Sequence, residues 1–230
     1  MKLLLFDLDG TLTRTDFADQ LIFLEAFREK ISPEIRSVED YKLKNNTDNG
    51  DTFELYQLFH GRYPGKEELN EVIHCVVEKF RKLSLVHPEY FAAVEGAPEL
   101  ISYFLSEEKC RWHIGIATGC WYESALLKLK LSGLYRSEMP IATSDRMFSK
   151  AEIILSAVEK AKKMNKVSNY DKIVYVGDSY TDLLASLSLS IDFIGIQAEN
   201  NLTKKISLRN YCKLENFRNI DNFISLLKSP

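Results

Sequence analysis

The stretch that decides the fold of this chain is MKLLLFDLDGTL, residues 1–12. Its apolar run, residues 3–6, predicts a short strand that is buried on both faces, as in a parallel sheet. Asp7 and Asp9 follow at once, and residues two apart in an extended chain project to the same side. Two close carboxylates repel each other, so the pair favours a hard divalent cation such as Mg2+, which binds oxygen ligands. Taken alone, however, an Asp-x-Asp pair more often marks a strand that ends in an acidic turn.

Downstream of Val94, short apolar runs alternate with helical patterns. The predicted strands occupy residues 112–117, 139–142, 173–176 and 193–196. This alternation predicts an α/β fold with a parallel sheet that helices cover on both faces. We therefore assign residues 1–12 and 94–230 to one α/β core domain. The tail from Glu199 ends in a covering helix and carries no predicted chemistry.

Residues 13–93 have a different pattern, which predicts an inserted all-helical domain. Asp16 is the expected N-cap of its first helix, whose apolar stripe runs through Phe17, Leu21, Leu24 and Phe27. Asp51, three residues before Glu54, is the expected start of the second helix. The third helix has the clearest apolar stripe of the chain.

The composition is that of an ordinary globular protein. Of 230 residues, 45% are hydrophobic and 27% are charged, which is ample for a core. The net charge of −3, with both signs mixed, gives no indication of a nucleic-acid or membrane partner. No apolar run is long enough for a signal peptide or a membrane span. The four cysteines are Cys75, Cys110, Cys120 and Cys212. They form no CxxC pair or zinc-ligand spacing and fit reduced thiols, so we expect a cytoplasmic protein.

Three predicted strands end at polar residues, namely Asp7, Thr118 and Asp178. In open parallel sheets, ligands bind at the carboxyl ends of the strands, so we expect these groups to converge. Asp178 would then complete the cation site that Asp7 begins. Thr118 and Gly119 offer a hydroxyl and a flexible amide for a phosphoryl oxygen, although Thr-Gly also ends many strands with no such role.

Two further residues stand at predicted helix starts. Lys150 follows Ser149, which forms a capping box with Glu152, so it lies in a first turn, where the helix dipole disfavours cations. A lysine there makes sense if it and the helix end both face an anion, although a solvated lysine is common at this position. Asp182 fits a capping pattern with Ser179, and equally well an outer-shell support of the cation.

Other candidates are weaker. The four histidines are dispersed, and no Ser/His/Asp, HExxH, GxGxxG or Walker pattern is present. Cys120, close to Thr118, is a candidate exposed thiol, but no base for a nucleophilic cysteine can be identified. The polar segment 45–51 fits a loop that reaches over the site, and at least as well a solvent-exposed turn.

The pattern as a whole resembles the haloacid dehalogenase-like hydrolase superfamily, and within it the phosphatase branch. Four signatures occur in order: DLDGT at residues 7–11, Thr118, Lys150, and Gly177-Asp178 with Asp182. The resemblance implies a Rossmann-like three-layer α/β/α core and identifies residues 13–93 as a C1-type helical cap. One departure is that no proline follows Lys150, where many relatives have one.

The resemblance also implies an activity. It implies an enzyme, a Mg2+-dependent phosphatase that hydrolyses a small-molecule phosphate monoester through an aspartyl-phosphate. Asp7 would be the nucleophile, and Asp9 the general acid and then the general base. The implied Mg2+ ligands are Asp7, the Asp9 backbone carbonyl and Asp178. The implied phosphate-binding residues are Thr118, Gly119 and Lys150. We expect a monomer or weak homodimer.

Several alternatives remain. A phosphomutase of the phosphoglucomutase type has the same residues, because the cap decides whether water or a second hydroxyl meets the aspartyl-phosphate. A dehalogenase is disfavoured because that branch lacks the second aspartate, which is present here as Asp9. A phospho-accepting receiver domain would be shorter, without a cap and with another motif order. A catalytically silent interaction protein is disfavoured because all four signatures are intact.

Overall fold

The computed structural model of the chain describes residues 1–106, 111–196 and 212–228, and a parallel sheet forms its centre. The strands are β1 (Lys2–Phe6), β2 (Trp112–Ala117), β3 (Ile141–Ala142), β4 (Lys172–Gly177), β5 (Asp192–Ile196) and β6 (Cys212–Leu214). Their order across the sheet is β3-β2-β1-β4-β5-β6, and all neighbours run parallel. Because β1 lies between β2 and β4, the residues that follow it face the ends of both neighbours.

Helices cover both faces of this sheet. They are α1 (Asp16–Lys30), α2 (Asp48–His60), α3 (Lys66–Val86), α4 (Ala97–Ser106), α5 (Tyr122–Leu131), α6 (Lys150–Asn165), α7 (Tyr180–Ser188) and α8 (Ile220–Lys228). Leu4 and Phe6 of β1 pack with α4, α5 and α8 on one face. Leu3 and Leu5 pack with α6 and α7 on the other. Successive side chains of a strand alternate between faces, so β1 contributes to both cores, and the predicted three-layer α/β/α fold is confirmed.

Helices α1 to α3 lie in the helical insertion, the name used here for residues 13–93. They share an apolar cluster of their own, which includes Phe23, Phe27 and Phe80. Trp121, from the loop between β2 and α5, is fully buried in this cluster and stacks on Phe23 with ring centroids 5.6 Å apart. The core therefore anchors the insertion through one large aromatic residue. The exact division of the chain at residues 13 and 93 stays a prediction.

Two details of the predicted first helix are wrong. Asp16 is the first residue of α1 rather than its N-cap, and Thr15 precedes the helix. Phe17 and Leu21 remain 55% and 37% exposed, because α1 buries the neighbouring face that carries Ile22 and Phe23.

The second helix also begins earlier than predicted. Helix α2 starts at Asp48, because Thr47 Oγ1 accepts a hydrogen bond from the Gly50 amide and so forms the N-cap. Glu54 does not cap the helix but accepts from the Lys44 amide at 3.1 Å.

Strand β6 was not predicted, whereas α8 confirms the expected last helix. Cys110 and the tail from Glu199 to residue 211 lie outside the described residues. Cys75 and Cys120 are buried free thiols. Over the parts of the chain that the structure covers, no helix has both the length and the apolar character needed to cross a bilayer.

Candidate active site

The ends of β1 and β4 bring three carboxylates together. One oxygen from each of Asp7, Asp178 and Asp182 lies within 4.8 Å of the others. The Asp7 amide donates to the Val176 carbonyl at 2.8 Å, which continues the β1–β4 ladder one residue beyond β1. The expected convergence of Asp7 and Asp178 is thus a direct result of parallel register.

Gly10 permits the tight approach of these two segments. Its φ is +71°, a region that favours glycine, and a Cβ at this position would overlap the Asp178 carboxylate. The next residue, Thr11, donates from its hydroxyl to Asp178 Oδ1 at 3.1 Å. The turn after β1 therefore both approaches and orients the carboxylate that follows β4.

Lys150 lies between two of the carboxylates. Its Nζ is 2.9 Å from Asp7 Oδ2 and 3.0 Å from Asp182 Oδ1, and the residue is only 8% exposed. The predicted capping box of Ser149 and Glu152 is confirmed, and it places Lys150 in the first turn of α6. Burial lowers the pKa of Lys150, but the nearby carboxylates raise it well above its ordinary value, so the side chain is charged.

Asp182 has a clear structural role. The Ser179 hydroxyl donates to Asp182 Oδ2 at 2.6 Å, and the Asp182 amide donates back to Ser179 Oγ at 3.2 Å, which caps α7. Oδ1 of Asp182 accepts from the Tyr175 hydroxyl at 3.2 Å. The capping prediction is confirmed, while the support of a cation stays a prediction.

The acidic cluster has the character of a cation site. Burial raises the pKa of Asp7 to about 7, with Lys150 opposing the rise. Burial also raises the pKa of Asp178 well above its ordinary range, and repulsion from Asp182 adds to it. Asp7 Oδ1 is buried and has no hydrogen-bond partner among the described residues. A hard divalent cation would bind this oxygen and lower both pKa values, so the donor set fits Mg2+.

Thr118 and Gly119 follow β2 beside this cluster. Thr118 is 1% exposed, and its Oγ1 accepts from the Cys120 amide at 3.2 Å. A Cβ on Gly119 would lie 3.3 Å from Lys150 Cε and 3.4 Å from the Asn46 carbonyl oxygen. Gly119 thus allows both the lysine and the insertion to approach the backbone, and both residues line the same cavity as Asp7.

Asp9 lines this cavity too, but its carboxylate binds a different set of groups. Lys128 Nζ lies 2.7 Å from Oδ1, which also accepts from the Thr15 hydroxyl, and the Cys120 thiol donates to Oδ2 at 2.8 Å. Burial raises the pKa of Asp9, but Lys128 and these hydrogen bonds lower it by more than burial raises it, so the pKa lies below its ordinary value. Asp9 is therefore ionised at rest, whereas the pKa of Asp7 is raised.

Sequence reasoning missed Lys128, whose side chain is fully buried. Its Nζ pairs with Asp9 and also with Asp19 of α1, and lies 4.8 Å above the Phe80 ring. A signal was available, because Lys128 shares the buried face of α5 with Ala125 and Leu129. The expectation of an exposed Cys120 thiol is wrong: this residue is 2% exposed, beneath Asp9.

The polar segment 45–51 lies against the core, so the exposed-turn alternative is wrong. Thr47 Oγ1 donates to the Phe148 carbonyl at 2.9 Å, and Asn46 Nδ2 donates to Thr181 Oγ1 at 3.0 Å. Asp48 binds the loop after β2 twice, through its amide to Gly119 and through Oδ2 to the Trp121 amide. The insertion thus contacts the loops that follow β2 and β3 and the first turn of α7.

A cavity of about 580 Å³ lies between the insertion and the sheet. Its core end is lined by Asp7, Asp9, Thr118, Gly119, Lys150 and Asp178. Its insertion end is lined by residues of α1, of segment 37–39 and of segment 46–51. This half-open space can hold a small ligand whose anionic group lies at Lys150.

The chain is similar to a known family of hydrolases. The sequence model of the haloacid dehalogenase-like hydrolases matches residues 4–196. No protein in the curated set matches the chain significantly.

Solved structures share the fold over nearly the whole chain. A hydrolase from Pseudomonas syringae superposes with a TM-score of 0.72 at 20% identity, covering 100% of both chains. A HAD hydrolase of family IA, variant 3, from Entamoeba histolytica has a TM-score of 0.69 at 18% identity, also covering 100% of both chains. CbbY from Rhodobacter sphaeroides, in complex with phosphate, has a TM-score of 0.67 at 18% identity and covers 95% of each chain.

Proposed function

The chain belongs to the haloacid dehalogenase-like hydrolases, and we propose that it is a Mg2+-dependent phosphatase of small-molecule phosphate monoesters. One observation carries the proposal: the Asp7 carboxylate lies beside Asp178, holds the Lys150 ammonium at Oδ2, and has a buried Oδ1 with no hydrogen-bond partner among the described residues. A nucleophile, a cation site and an anion-binding group therefore meet at one point. Transfer of a phosphoryl group to a carboxylate requires that arrangement.

In the first half of the reaction, Asp7 attacks the phosphorus of the ester. A bond forms between the carboxylate oxygen and phosphorus, the bond from phosphorus to the leaving oxygen breaks, and an aspartyl-phosphate remains on Asp7. Asp9 gives a proton to the leaving alcohol. Asp9 is ionised in the free enzyme, but a phosphoryl dianion bound beside it raises its pKa toward the value that an acid needs.

In the second half, Asp9 acts as the base. It takes a proton from a water molecule, whose oxygen attacks the phosphorus, and the bond to Asp7 breaks to release inorganic phosphate. The contacts of Asp9 with Lys128 and Thr15 keep it ionised and fix its orientation for this step. Lys128 is thus a positioning residue that acts through Asp9.

Charge on the transferring group is offset from several sides. Lys150, the Thr118 hydroxyl and the Gly119 amide would bind the phosphoryl oxygens. Asp7, Asp178 and the Asp9 backbone carbonyl would hold Mg2+, which supplies positive charge close to those oxygens. Asp182 holds Lys150 from the opposite side.

The helical insertion would act as a cap of the C1 type. Its segment 46–48 lies against Gly119 in the cavity wall, and exclusion of bulk water by the cap would strengthen the electrostatic interactions inside. We further expect the enzyme to act in the cytoplasm as a monomer or weak homodimer.

The proposal is tested by assaying a panel of phosphate monoesters with and without Mg2+. We expect phosphate release that depends on Mg2+ and that falls at least about a thousandfold in Asp7→Asn. Asp221→Asn, an exposed residue of α8, is the matched control and should retain full activity. Metal-independent hydrolysis, or undiminished turnover by Asp7→Asn, would contradict the proposal.

A further inference from the structure

The two ends of the cavity differ in charge. Lys150 lies at the core end, whereas the described residues that line the insertion end include no lysine, arginine or histidine. Five acidic residues line that end instead: Asp16, Asp19, Glu39, Asp48 and Asp51. A cavity with one sign of charge raises the local concentration of ligands that carry the opposite sign.

The nearest cation does not offset this charge. Lys128 is already shared by Asp9 and Asp19, and its Nζ is fully buried beneath them. The ion pairs of the described residues include none to Asp16, Glu39, Asp48 or Asp51. The described wall of the insertion end therefore holds five carboxyl groups and no cationic side chain, and burial raises the pKa of Asp19 to about 7 and that of Asp48 well above its usual range.

Asp51 gives independent evidence for a hydrogen-bond donor from a ligand. Its Oδ1 is buried and has no partner among the described residues, although the residue lines the cavity. Burial raises the pKa of Asp51 to about 7, and repulsion from Glu54 adds to the rise. A buried carboxylate oxygen without a donor is unfavourable, so a ligand that donates there gains affinity.

The rest of this end is apolar. Phe17 and Leu21, which α1 leaves exposed, line the cavity together with Leu24 and Val38. These side chains would contact the carbon skeleton of a bound alcohol. At this end, a donor of the ligand can therefore meet a carboxylate and its carbon skeleton can meet apolar side chains, whereas a second anionic group would find no cationic side chain in the described wall.

We propose that the substrate is a phosphate monoester whose leaving alcohol carries no second anionic group. This inference rests on the proposed phosphatase activity. An ammonium or hydroxyl group of this alcohol donates to Asp51, while its phosphoryl group lies at Lys150. The same charge pattern disfavours a mutase, because a bisphosphate would place its second phosphoryl group among the carboxylates of the insertion end.

The test compares kcat/KM for three small esters in the presence of Mg2+: O-phosphoethanolamine, glycerol 3-phosphate and 2-phosphoglycolate. Besides the hydroxyl that is released, their leaving alcohols carry an ammonium group, two hydroxyl groups and a carboxylate group, respectively. We expect the carboxylate ester to be at least about tenfold poorer than the other two. A carboxylate ester that equals or exceeds them overturns this inference alone. If none of the three esters, and no ester of the wider panel, is hydrolysed, the proposed phosphatase activity itself fails.

Asp51→Asn then tests the named residue. Because it replaces an acidic carboxyl group with a neutral amide of the same size, the ratio of kcat/KM for the carboxylate ester to that for the ammonium ester should rise about tenfold. Asp40→Asn, an exposed aspartate outside the cavity, should leave this ratio unchanged. An unchanged ratio in Asp51→Asn would overturn the assignment. Glu39→Gln, at an exposed position of the cavity wall, should shift the ratio in the same direction and keeps the test available if the first variant folds poorly.

Discussion

The two ends of the cavity are built in different ways. At the core end, the register of β1, β2 and β4 fixes the positions of Asp7, Thr118 and Asp178, and Lys150 is paired with carboxylates. At the insertion end, helix faces and the segment 46–48 supply the wall, and most carboxylates there have no cationic partner. The contrast supports our two proposals, that the core end performs the reaction and that the insertion end selects the substrate.

Among the variants proposed below, Lys150→Met should have the largest effect, and it acts at the core end of the cavity. The substitution removes the ammonium that faces the phosphoryl group, so kcat should fall by about a hundred- to a thousandfold. It also leaves Asp7 and Asp182 without their buried cation, which should lower the free energy of unfolding by about 3 kcal/mol. Steady-state kinetics and urea unfolding measure the two effects.

Lys163→Met serves as the control for this variant, because Lys163 is exposed on the same helix. Equal losses of kcat and of stability in the two variants would contradict the role proposed for Lys150.

Lys128→Met should remove the cation that pairs with both Asp9 at the core end and Asp19 at the insertion end. Burial raises the pKa of Asp9, and Lys128 lowers it, so without the lysine this pKa should rise. The acid limb of the pH profile of kcat should then move to higher pH, because the base step follows release of the alcohol and needs ionised Asp9. Loss of the oriented carboxylate should lower kcat by about ten- to a hundredfold.

Lys130→Met, on the exposed face of α5, should leave both the profile and the rate unchanged. A Lys128→Met enzyme that loses stability but keeps the acid limb in place would assign Lys128 a structural role only.

The core end was largely predictable from sequence, because each polar group directly follows an apolar strand. Asp7, Thr118 and Asp178 could be brought together by the general behaviour of parallel sheets, without any knowledge of side-chain contacts. Lys150 followed from a capping box. What could not be predicted was the direction of the Asp9 carboxylate, since it depends on Lys128, more than a hundred residues away.

The insertion end was poorly predictable for a related reason. The apolar pattern of α1 allows two faces, and the stripe through Phe17 and Leu21 was chosen although Ile22 and Phe23 are buried. Both faces are apolar, but one packs in the insertion core and the other lines the cavity. Periodicity alone does not distinguish a core face from a ligand-binding face.

Gly10→Ala should displace Asp178, a proposed Mg2+ ligand at the core end. Gly10 and Gly133 both have a φ of +71°, but only at Gly10 would a Cβ meet the Asp178 carboxylate. Both substitutions should lower the free energy of unfolding by about 1–2 kcal/mol from backbone strain. Only Gly10→Ala should also lower kcat, by roughly tenfold, and raise the Mg2+ concentration needed for half-maximal activity.

Equal activities of Gly10→Ala and Gly133→Ala in a Mg2+ titration would show that the approach of Gly10 to Asp178 does not matter for the site.

Thr47→Val should have the smallest effect, at the contact between the two ends. It removes the hydrogen bond to the Phe148 carbonyl and the N-cap of α2, so stability should fall by about 1 kcal/mol. Because the insertion is then held less firmly over the core, KM should rise about two- to fivefold. Thr52→Val is the control: it removes a buried hydrogen bond within α2, so it should lower stability and leave KM unchanged. A KM change of the same size in both variants would contradict the proposed contact.

The central claim, that Asp7 carries the phosphoryl group, is tested most directly by trapping the intermediate. Asp9→Asn lacks the base for the second step, so this variant should accumulate phosphoenzyme when mixed with Mg2+ and a reactive phosphate ester, then quenched in acid. Mass spectrometry should find one phosphoryl group on the peptide that contains Asp7, removable by hydroxylamine and absent when Asp7→Asn is added. Phosphate release with no label on this peptide, or a label on another residue, would contradict the account.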